Sequence, residues 1–242
     1  MSGWFDGVVG HARVISLLTT ELEEPANAYL FVGAAGVGKA TVARHFATGL
    51  LCPTREPGCN VCRRVMEGNH ADFIPVVPEG SANLGVDQAR MVVAQAAMAP
   101  VEGERKVFLF EEAGVMTDQA ANAILKTLEE PTPTTVFILV AEAEDDLPAT
   151  IASRCRTVHF GRVPEDELVA RLAQQGVEQE QASELARVAG GRPGLALSLS
   201  RSPQAAEFRR LWLSIPTRVT PRPGDAQRLA EEVLEALAPM VT

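Results

Sequence analysis

The sequence lacks the features of a membrane-spanning or secreted chain. No apolar run approaches the ~20 residues that a transmembrane helix needs. The first residues, Met1 to Asp6, show no basic region followed by a long apolar stretch, as a signal peptide would. We therefore expect a cytoplasmic protein with no membrane partner. An internal repeat and a low-complexity tract are also missing from the chain.

Positive charge is in short supply as well. The formal net charge is −9, and a protein that grips nucleic acid alone needs a basic surface. If DNA is involved, we expect partners to supply most of the positive charge.

Cysteine is scarce, and its four copies are unevenly placed. Cys52, Cys59 and Cys62 fall within eleven residues, in a segment that is also rich in proline. In a cytosolic chain such clustering indicates a metal site before a disulfide.

The apolar residues that are present predict an α/β fold. They make up 46% of 242 residues, enough for one large domain with a core and a small second domain. Short apolar runs predict strands over 29–32, 73–77, 107–110, 136–140 and 157–160. Apolar residues at helical spacing predict helices over 14–22, 42–50, 87–99 and 117–128, with Asp87 and Thr117 as N-caps. Alternating strands and helices predict a mostly parallel sheet with helices on both faces.

Only helices are predicted after residue 161. Three short ones, over 165–175, 178–189 and 193–199, indicate a small helical domain at residues 162–201. Two more, over 203–212 and 225–237, flank a predicted loop at 215–224. The predicted divisions are therefore 1–161, 162–201 and 202–242.

A glycine-rich loop follows the first predicted strand and leads into a helix. Its glycines, Gly33, Gly36 and Gly38, allow backbone N–H groups to surround one anion, and Lys39 can reach the outer phosphates. A complete P-loop has Ser or Thr directly after the lysine to hold Mg²⁺, but this chain has Ala40. Thr41 comes one residue later, which on a helix rotates the side chain by ~100°. The loop therefore predicts phosphate binding without the usual metal ligand.

A second acidic pattern follows the third predicted strand. Glu111 and Glu112 occupy the places of the Asp-Glu pair that ends a Walker B strand, in which the aspartate holds magnesium and the glutamate polarises water. Glu111 is one methylene longer than aspartate, which matters for a metal that demands tight octahedral geometry. Two acids at a strand end are otherwise common on surfaces. The upstream phosphate loop favours the Walker B interpretation.

Two further segments are similar to those of bacterial clamp-loader subunits of the AAA+ family. They are Asn122-Ala-Ile-Leu-Lys-Thr-Leu-Glu-Glu-Pro131 and Ile151-Ala-Ser-Arg-Cys155. The resemblance implies a P-loop AAA+ domain at 1–161, a three-helix lid at 162–201, and at 202–242 the start of a helical collar, expected to be truncated. It also implies that Arg154 is an arginine finger, which reaches the ATP of a neighbouring subunit and stabilises transition-state charge there.

Within this family, several positions favour the delta-prime type over the ATP-hydrolysing motor type. Ala141-Glu142 replaces a polar sensor threonine, Gly194 stands at the sensor arginine of the lid, and the segment Asn83 to Asp87 resembles delta-prime. With Ala40 and Glu111, these changes imply a subunit that helps load the sliding clamp without hydrolysing ATP.

The resemblance also implies ligands and partners. ATP, if bound, is expected to bind weakly at Gly33, Gly36, Gly38, Lys39, Thr41 and Glu111, with Glu112 a vestigial catalytic residue. The implied partners are gamma/tau and delta subunits, with the clamp and primed DNA reached through the assembly. A gamma/tau-type motor is the alternative. A stand-alone phosphotransferase needs an acceptor site, and no segment suggests one.

The family pattern implies a structural zinc held by four cysteines. Cys52, Cys59 and Cys62 match the first three, but Val65 occupies the fourth place. Three thiolates leave an open coordination position, unlike closed structural zinc. His70 could complete the site only if its loop folds back, so we expect zinc binding to be weakened or lost.

Overall fold

The computed structural model describes residues 3–78, 83–220, 222 and 224–237. The strands are β1 (Ala28–Val32), β2 (Phe73–Val76), β3 (Lys106–Phe110), β4 (Thr135–Ala141) and β5 (Arg156–His159). The helices are α1 (Ala12–Glu21), α2 (Lys39–Leu51), α3 (Asn60–Met66), α4 (Val86–Ala96), α5 (Asp118–Glu129), α6 (Ala149–Ala152), α7 (Glu165–Gln174), α8 (Gln179–Ala189), α9 (Pro193–Arg201), α10 (Pro203–Arg218) and α11 (Asp225–Leu237).

The five strands form one parallel sheet in the order β2-β3-β4-β1-β5. The predicted parallel α/β fold is therefore confirmed. The three central strands, β3, β4 and β1, are buried along their whole length, as expected for continuous apolar runs covered on both faces. Pro75 lies in β2, at the sheet edge, where a missing backbone donor is tolerated.

Successive residues of β1 pack on opposite faces of the sheet. Tyr29 and Phe31 belong to the same apolar cluster as Phe46 of α2, whereas Leu30 belongs to a second cluster with Ile124 of α5. This alternation follows from the two-residue period of a strand. It covers the sheet with helices on both faces, as the sequence predicts.

The chain divides into two compact units, residues 1–163 and 164–242. The first unit contains the sheet. The second contains the three predicted lid helices, as α7, α8 and α9, together with α10 and α11. The finer division at 201/202 stays a prediction. None of the described helices combines the length and apolar character needed to cross a bilayer.

Two local predictions are wrong, and one helix was not predicted. Asp87 does not cap α4; Gly85 occupies the N-cap position, and Asp87 lies in the first turn, where a carboxylate also favours a helix N-terminus. The cysteine-rich segment contains an unpredicted helix, α3, whose N-cap is Cys59. Helix α10 runs past its predicted end at Trp212 to Arg218, with Pro216 inside it.

Pro216 lies in the last turn of α10, and the helix continues for only two residues beyond it. Proline removes its own N–H from the helix, but Val219 N still donates to Ile215 O at 2.9 Å beyond it. Pro221 and Pro223 of the predicted loop lie outside the described residues. Thr117 is confirmed as the cap of α5, where its side chain accepts from Ala120 N at 3.2 Å.

Candidate functional site

The sheet brings the two predicted nucleotide motifs to one edge. The phosphate loop follows β1 and Glu111-Glu112 follows β3, and β4 lies between these two strands. Val32 pairs with Ala141, and Phe110 pairs with Leu139, so the carboxyl ends of the three strands are adjacent. Ligands of parallel α/β sheets bind at this edge.

The glycines of the phosphate loop are required by its backbone. Gly38 has a φ of 107° directly before α2, in the left-handed region that side chains rarely adopt. At Gly33 an added Cβ would collide with the carbonyl oxygen of Phe160, which follows β5. The loop thus ends at the N-terminus of a 13-residue helix, a favourable place for an anion.

Lys39 is turned back onto its own loop. Its Nζ donates to the carbonyl oxygens of Gly33 and Ala34, the latter at 2.9 Å, and the residue is only 7% exposed. Burial lowers the pKa of Lys39, while the carboxylates of Glu142 and Asp146 act in the opposite direction. A phosphate at this loop therefore has to compete with two carbonyl groups for the lysine.

The first turn of α2 supplies no hydroxyl at the metal-binding place. Ala40 is half-buried and Thr41 is exposed, as their offset along the helix predicts. Neither residue replaces the hydroxyl that holds Mg²⁺ in a complete loop.

Glu111 has a partner that sequence reasoning missed. Its Oε1 forms an ion pair with Nη2 of Arg44, on α2, and the two side chains are about one third exposed at 27% and 30%. The Arg44 guanidinium carbon also lies 5.9 Å from the centre of the Phe73 ring. Arg44 comes four residues after Ala40, so both lie on the same face of α2. The four-residue spacing between Ala40, at the metal-ligand position, and Arg44 was the signal in the sequence that could have revealed this partner.

Glu112 differs from Glu111 in its surroundings. It is exposed and stands at the N-cap of a short 3₁₀ turn, Ala113–Val115. Its backbone carbonyl accepts from Val115 N at 3.2 Å.

The segment after β4 is acidic where a motor-type site has a polar sensor. Asp146 accepts from the backbone N–H groups of Glu142 and Ala143, at 2.9 and 2.8 Å, and so folds the segment into a turn. Because Ala141 pairs with Val32, the segment after β4 begins beside the phosphate loop, and the carboxylates of Glu142 and Asp146 act to raise the pKa of Lys39. Negative charge here opposes phosphate binding.

Arg154 lies at the surface of the first unit, in the turn after α6. Its Nη2 pairs with Glu129 Oε1 at 2.6 Å, and Nη1 donates to Thr150 O at 2.7 Å. Its side chain is 34% exposed. The guanidinium is therefore ordered within its own unit and still open to solvent.

The three clustered cysteines lie close together in the structure. Their Sγ atoms all lie within 4.8 Å of one another, with Cys59 at 3.4 Å from Cys62 and 3.6 Å from Cys52. Burial opposes a low pKa for Cys59, but the backbone N–H of Cys62 and neighbouring thiols lower it to about 7. Burial and hydrogen bonds to Cys59 and Cys52 raise the pKa of Cys62 to about 12.

The donor set does not fit a closed structural zinc site. Val65, at the fourth family position, is fully buried and offers no donor atom. His70 is also buried, and its Nδ1 accepts from Asp72 N at 3.1 Å. Within the described part of the chain, the cysteine group includes no fourth histidine, cysteine or acidic ligand.

Sequence reasoning also missed Asp72, a structural residue of the first unit. Its fully buried carboxylate accepts from the backbone N–H groups of Val101, Glu102 and Gly103, at 2.6, 2.8 and 3.0 Å. Burial alone raises a carboxyl pKa, but these three donors lower that of Asp72 overall. Asp72 fixes the turn before β3 to the start of β2.

Comparison with known proteins identifies the family that this chain resembles. A family described as "DNA polymerase III, delta subunit" matches residues 10–164. The chain is 33% identical over 222 residues to DNA polymerase III subunit delta' of Bacillus subtilis, which covers 88% of this chain and 66% of that protein. It is 35% identical over 176 residues to the tau/gamma subunit of Haemophilus influenzae, which covers 70% of this chain and 25% of that protein.

The chain therefore spans less than two thirds of the length of these curated relatives. Among solved structures, a gamma subunit-related protein of Thermotoga maritima superposes with a TM-score of 0.54 at 22% identity. That match covers 92% of this chain and 71% of the other. At this identity the likeness supports the P-loop AAA+ fold alone. Both delta' and tau/gamma proteins are among the relatives, so the comparisons do not distinguish between the two types.

Proposed function

Because the chain belongs to the family described as DNA polymerase III, delta subunit, we propose that it acts in a clamp loader as a subunit of the delta-prime type. In this role it helps load the sliding clamp onto primed DNA and does not hydrolyse ATP itself. Its partners are gamma/tau and delta subunits, and it reaches the clamp and DNA through the assembly.

The ion pair between Arg44 and Glu111 carries the non-hydrolysing assignment. In a Walker B site the first carboxylate helps to hold Mg²⁺, which neutralises charge on the phosphates during transfer. Here that carboxylate is neutralised by a guanidinium from the helix after the phosphate loop. A divalent ion would have to displace Arg44, and Ala40 offers it no hydroxyl in return.

The remaining parts of the site support the same assignment. The glycine loop and the N-terminus of α2 fit a phosphate group, but Lys39 is engaged by two loop carbonyls and faces nearby acids. In the second unit, Gly194 lies in α9 and provides no sensor charge. We therefore propose that the loop binds nucleotide weakly or not at all.

A gamma/tau-type motor is the second candidate. Two observations favour it: every glycine of the phosphate loop and its lysine are present, and tau/gamma proteins are among the relatives. This candidate requires that Glu111 release Arg44 in order to take part in catalysis.

ATP turnover by the purified chain separates the two candidates. It is measured with radiolabelled ATP and Mg²⁺, alone and with gamma/tau and delta subunits, beside a Lys39→Ala variant as the background control. We expect no turnover above that control from the chain alone. Lysine-dependent turnover near 1 s⁻¹, an ordinary enzyme rate, would identify a motor instead.

Arg154 is proposed to act in trans, on the ATP of a neighbouring subunit. It is ordered at the surface, and its ion pair with Glu129 is solvent-exposed and therefore weak. A phosphate group with several charged oxygens can replace one carboxylate as the partner of a guanidinium.

A further inference from the structure

Cys59 lies between two other thiols in a compact cluster of the first unit. Its Sγ atom is 3.4 Å from Cys62 Sγ and 3.6 Å from Cys52 Sγ. The fourth cysteine of the chain, Cys155, is not part of this group.

The three cysteines differ in access to solvent. Cys52 and Cys62 are buried at 6% and 5% exposure, whereas Cys59 is half-buried. An external reagent can therefore reach Cys59 first, and the sulfur of Cys62 is already in contact with it. This combination of an accessible thiol and an adjacent buried thiol suits disulfide exchange better than it suits a metal site with only three donors.

We propose that Cys59 and Cys62 form a redox-active dithiol that is oxidised to a disulfide by low-molecular-weight disulfides. The thiolate of Cys59 attacks one sulfur of the reagent, RSSR, forming a mixed disulfide and releasing RS⁻. Cys62 then gives up its proton and attacks Cys59 Sγ, releasing the second RS⁻. Protonation of the two leaving thiolates gives 2 RSH, so the two cysteines are oxidised as one RSSR is reduced.

The surrounding structure can accommodate this change. Cys59 is the N-cap of α3 and Cys62 lies in its first turn, so the new bond closes a short local loop. Cys52, the C-cap of α2, stays a thiol and keeps its contacts with Thr54 Oγ1 at 3.3 Å and Glu56 O at 3.4 Å. The inference is independent of the clamp-loader assignment, because it concerns only the chemistry of these sulfurs.

The experiment oxidises the folded chain with glutathione disulfide after reduction, chelation and desalting. Thiols are counted under denaturing conditions, and the product is mapped by mass spectrometry of peptides. Two of the four thiols should be lost, with the mass of two hydrogen atoms, in a bond between Cys59 and Cys62. In a Cys62→Ser variant the reaction should stop at a mixed disulfide on Cys59.

Three further variants serve as controls for this reaction. Cys155→Ser and Cys52→Ser should both still form the bond, and Cys59→Ser should abolish it. The circular dichroism of each variant is compared with that of the parent. If Cys59→Ser is unfolded, the mixed disulfide trapped in Cys62→Ser still decides the matter.

Three results would overturn the proposal. One is zinc bound stoichiometrically to the purified chain that resists chelation and protects all three thiols. Another is a disulfide that maps to Cys52 and Cys59 instead. The third is a Cys59 that reacts no faster than Cys155, which is a thiol outside the cluster.

Discussion

The ion pair between Arg44 and Glu111 leads to a prediction about single residues. These residues are expected to decide whether the phosphate site requires a metal ion. If the guanidinium occupies the role of the cation, nucleotide affinity in this chain should be the same with Mg²⁺ as with a chelator. The triple variant Ala40→Thr, Arg44→Ala, Glu111→Asp restores both metal ligands and removes the guanidinium. Its affinity for ATP should rise with Mg²⁺ by about tenfold, equivalent to about 1.4 kcal/mol.

Binding of a fluorescent ATP analogue, titrated with and without magnesium, measures this difference. Arg90→Ala is the control, because Arg90 is largely exposed and pairs with Asp87 near it on α4. Magnesium-dependent binding by the parent chain would show that Glu111 is available to a metal despite Arg44.

Arg154 allows a second prediction about a single residue. A role in trans and a role within its own unit predict different results when Arg154 is replaced. Arg154→Ala should stay folded, since the pair with Glu129 is partly exposed to solvent and such surface pairs stabilise a protein by less than about 1 kcal/mol. In a reconstituted loader, turnover at the adjoining motor site should fall by about 10³–10⁵. Arg154→Lys should rescue poorly, because an ammonium lacks the planar fork of a guanidinium.

The readouts are the melting temperature of the variant chain and ATP turnover at a single site of the assembled ring. Arg162→Ala, another exposed arginine of the first unit, is the matched control. If the melting temperature falls and ATP turnover at the adjoining motor site is unchanged, Arg154 acts only through Glu129, within its own unit.

Turns that join the elements of the sheet depend on buried polar groups, and Asp72 is the clearest case. Asp72→Asn should destabilise the first unit on the order of 2–4 kcal/mol, because the amide cannot accept from three backbone donors as a carboxylate does. Asp87→Asn is the control, since that carboxylate is 91% exposed.

The stabilisation by Asp72 should also depend on pH. Its pKa is lowered in the folded protein, so the unfolded chain binds the proton more readily. The stabilisation is therefore complete above the unfolded value of about 4 and is lost as pH falls through the lower folded value. Urea unfolding at several pH values should show the difference between parent and Asp72→Asn shrinking below about pH 4. A difference that is constant with pH would exclude the charge as its source.

At the scale of the whole molecule, charge limits what the chain can bind alone. With 31 acidic and 22 basic residues, it should not bind primed DNA tightly at ~0.15 M salt, because phosphate neutralisation needs clustered lysine and arginine. Fluorescence anisotropy of a labelled primer-template measures this, beside the same titration with partner subunits added. Submicromolar binding by the chain alone would show that a local basic surface outweighs the net charge.

The sequence by itself determined the strands, the longer helices of the first unit and the phosphate loop. Apolar runs located all five strands to within a few residues, because burial of a strand depends on its own composition. The order of strand, glycine loop and helix located the candidate site for a similar reason: a glycine-rich turn adopts its shape through local backbone geometry. The cysteine cluster, with its three thiols within eleven residues, was equally visible.

Only the tertiary structure decided which charged groups meet. Arg44 and Glu111 are 67 positions apart, and Asp72 is about 30 positions from each of its three donors. Periodicity and spacing describe one element at a time, so they cannot place a side chain of α2 against the end of β3. The same is true of Lys39 inside the phosphate loop. Its position in the motif predicts that it binds phosphate, but in the folded loop it donates to two backbone carbonyl groups. The partner that a charged side chain adopts depends on the packing of several elements around it.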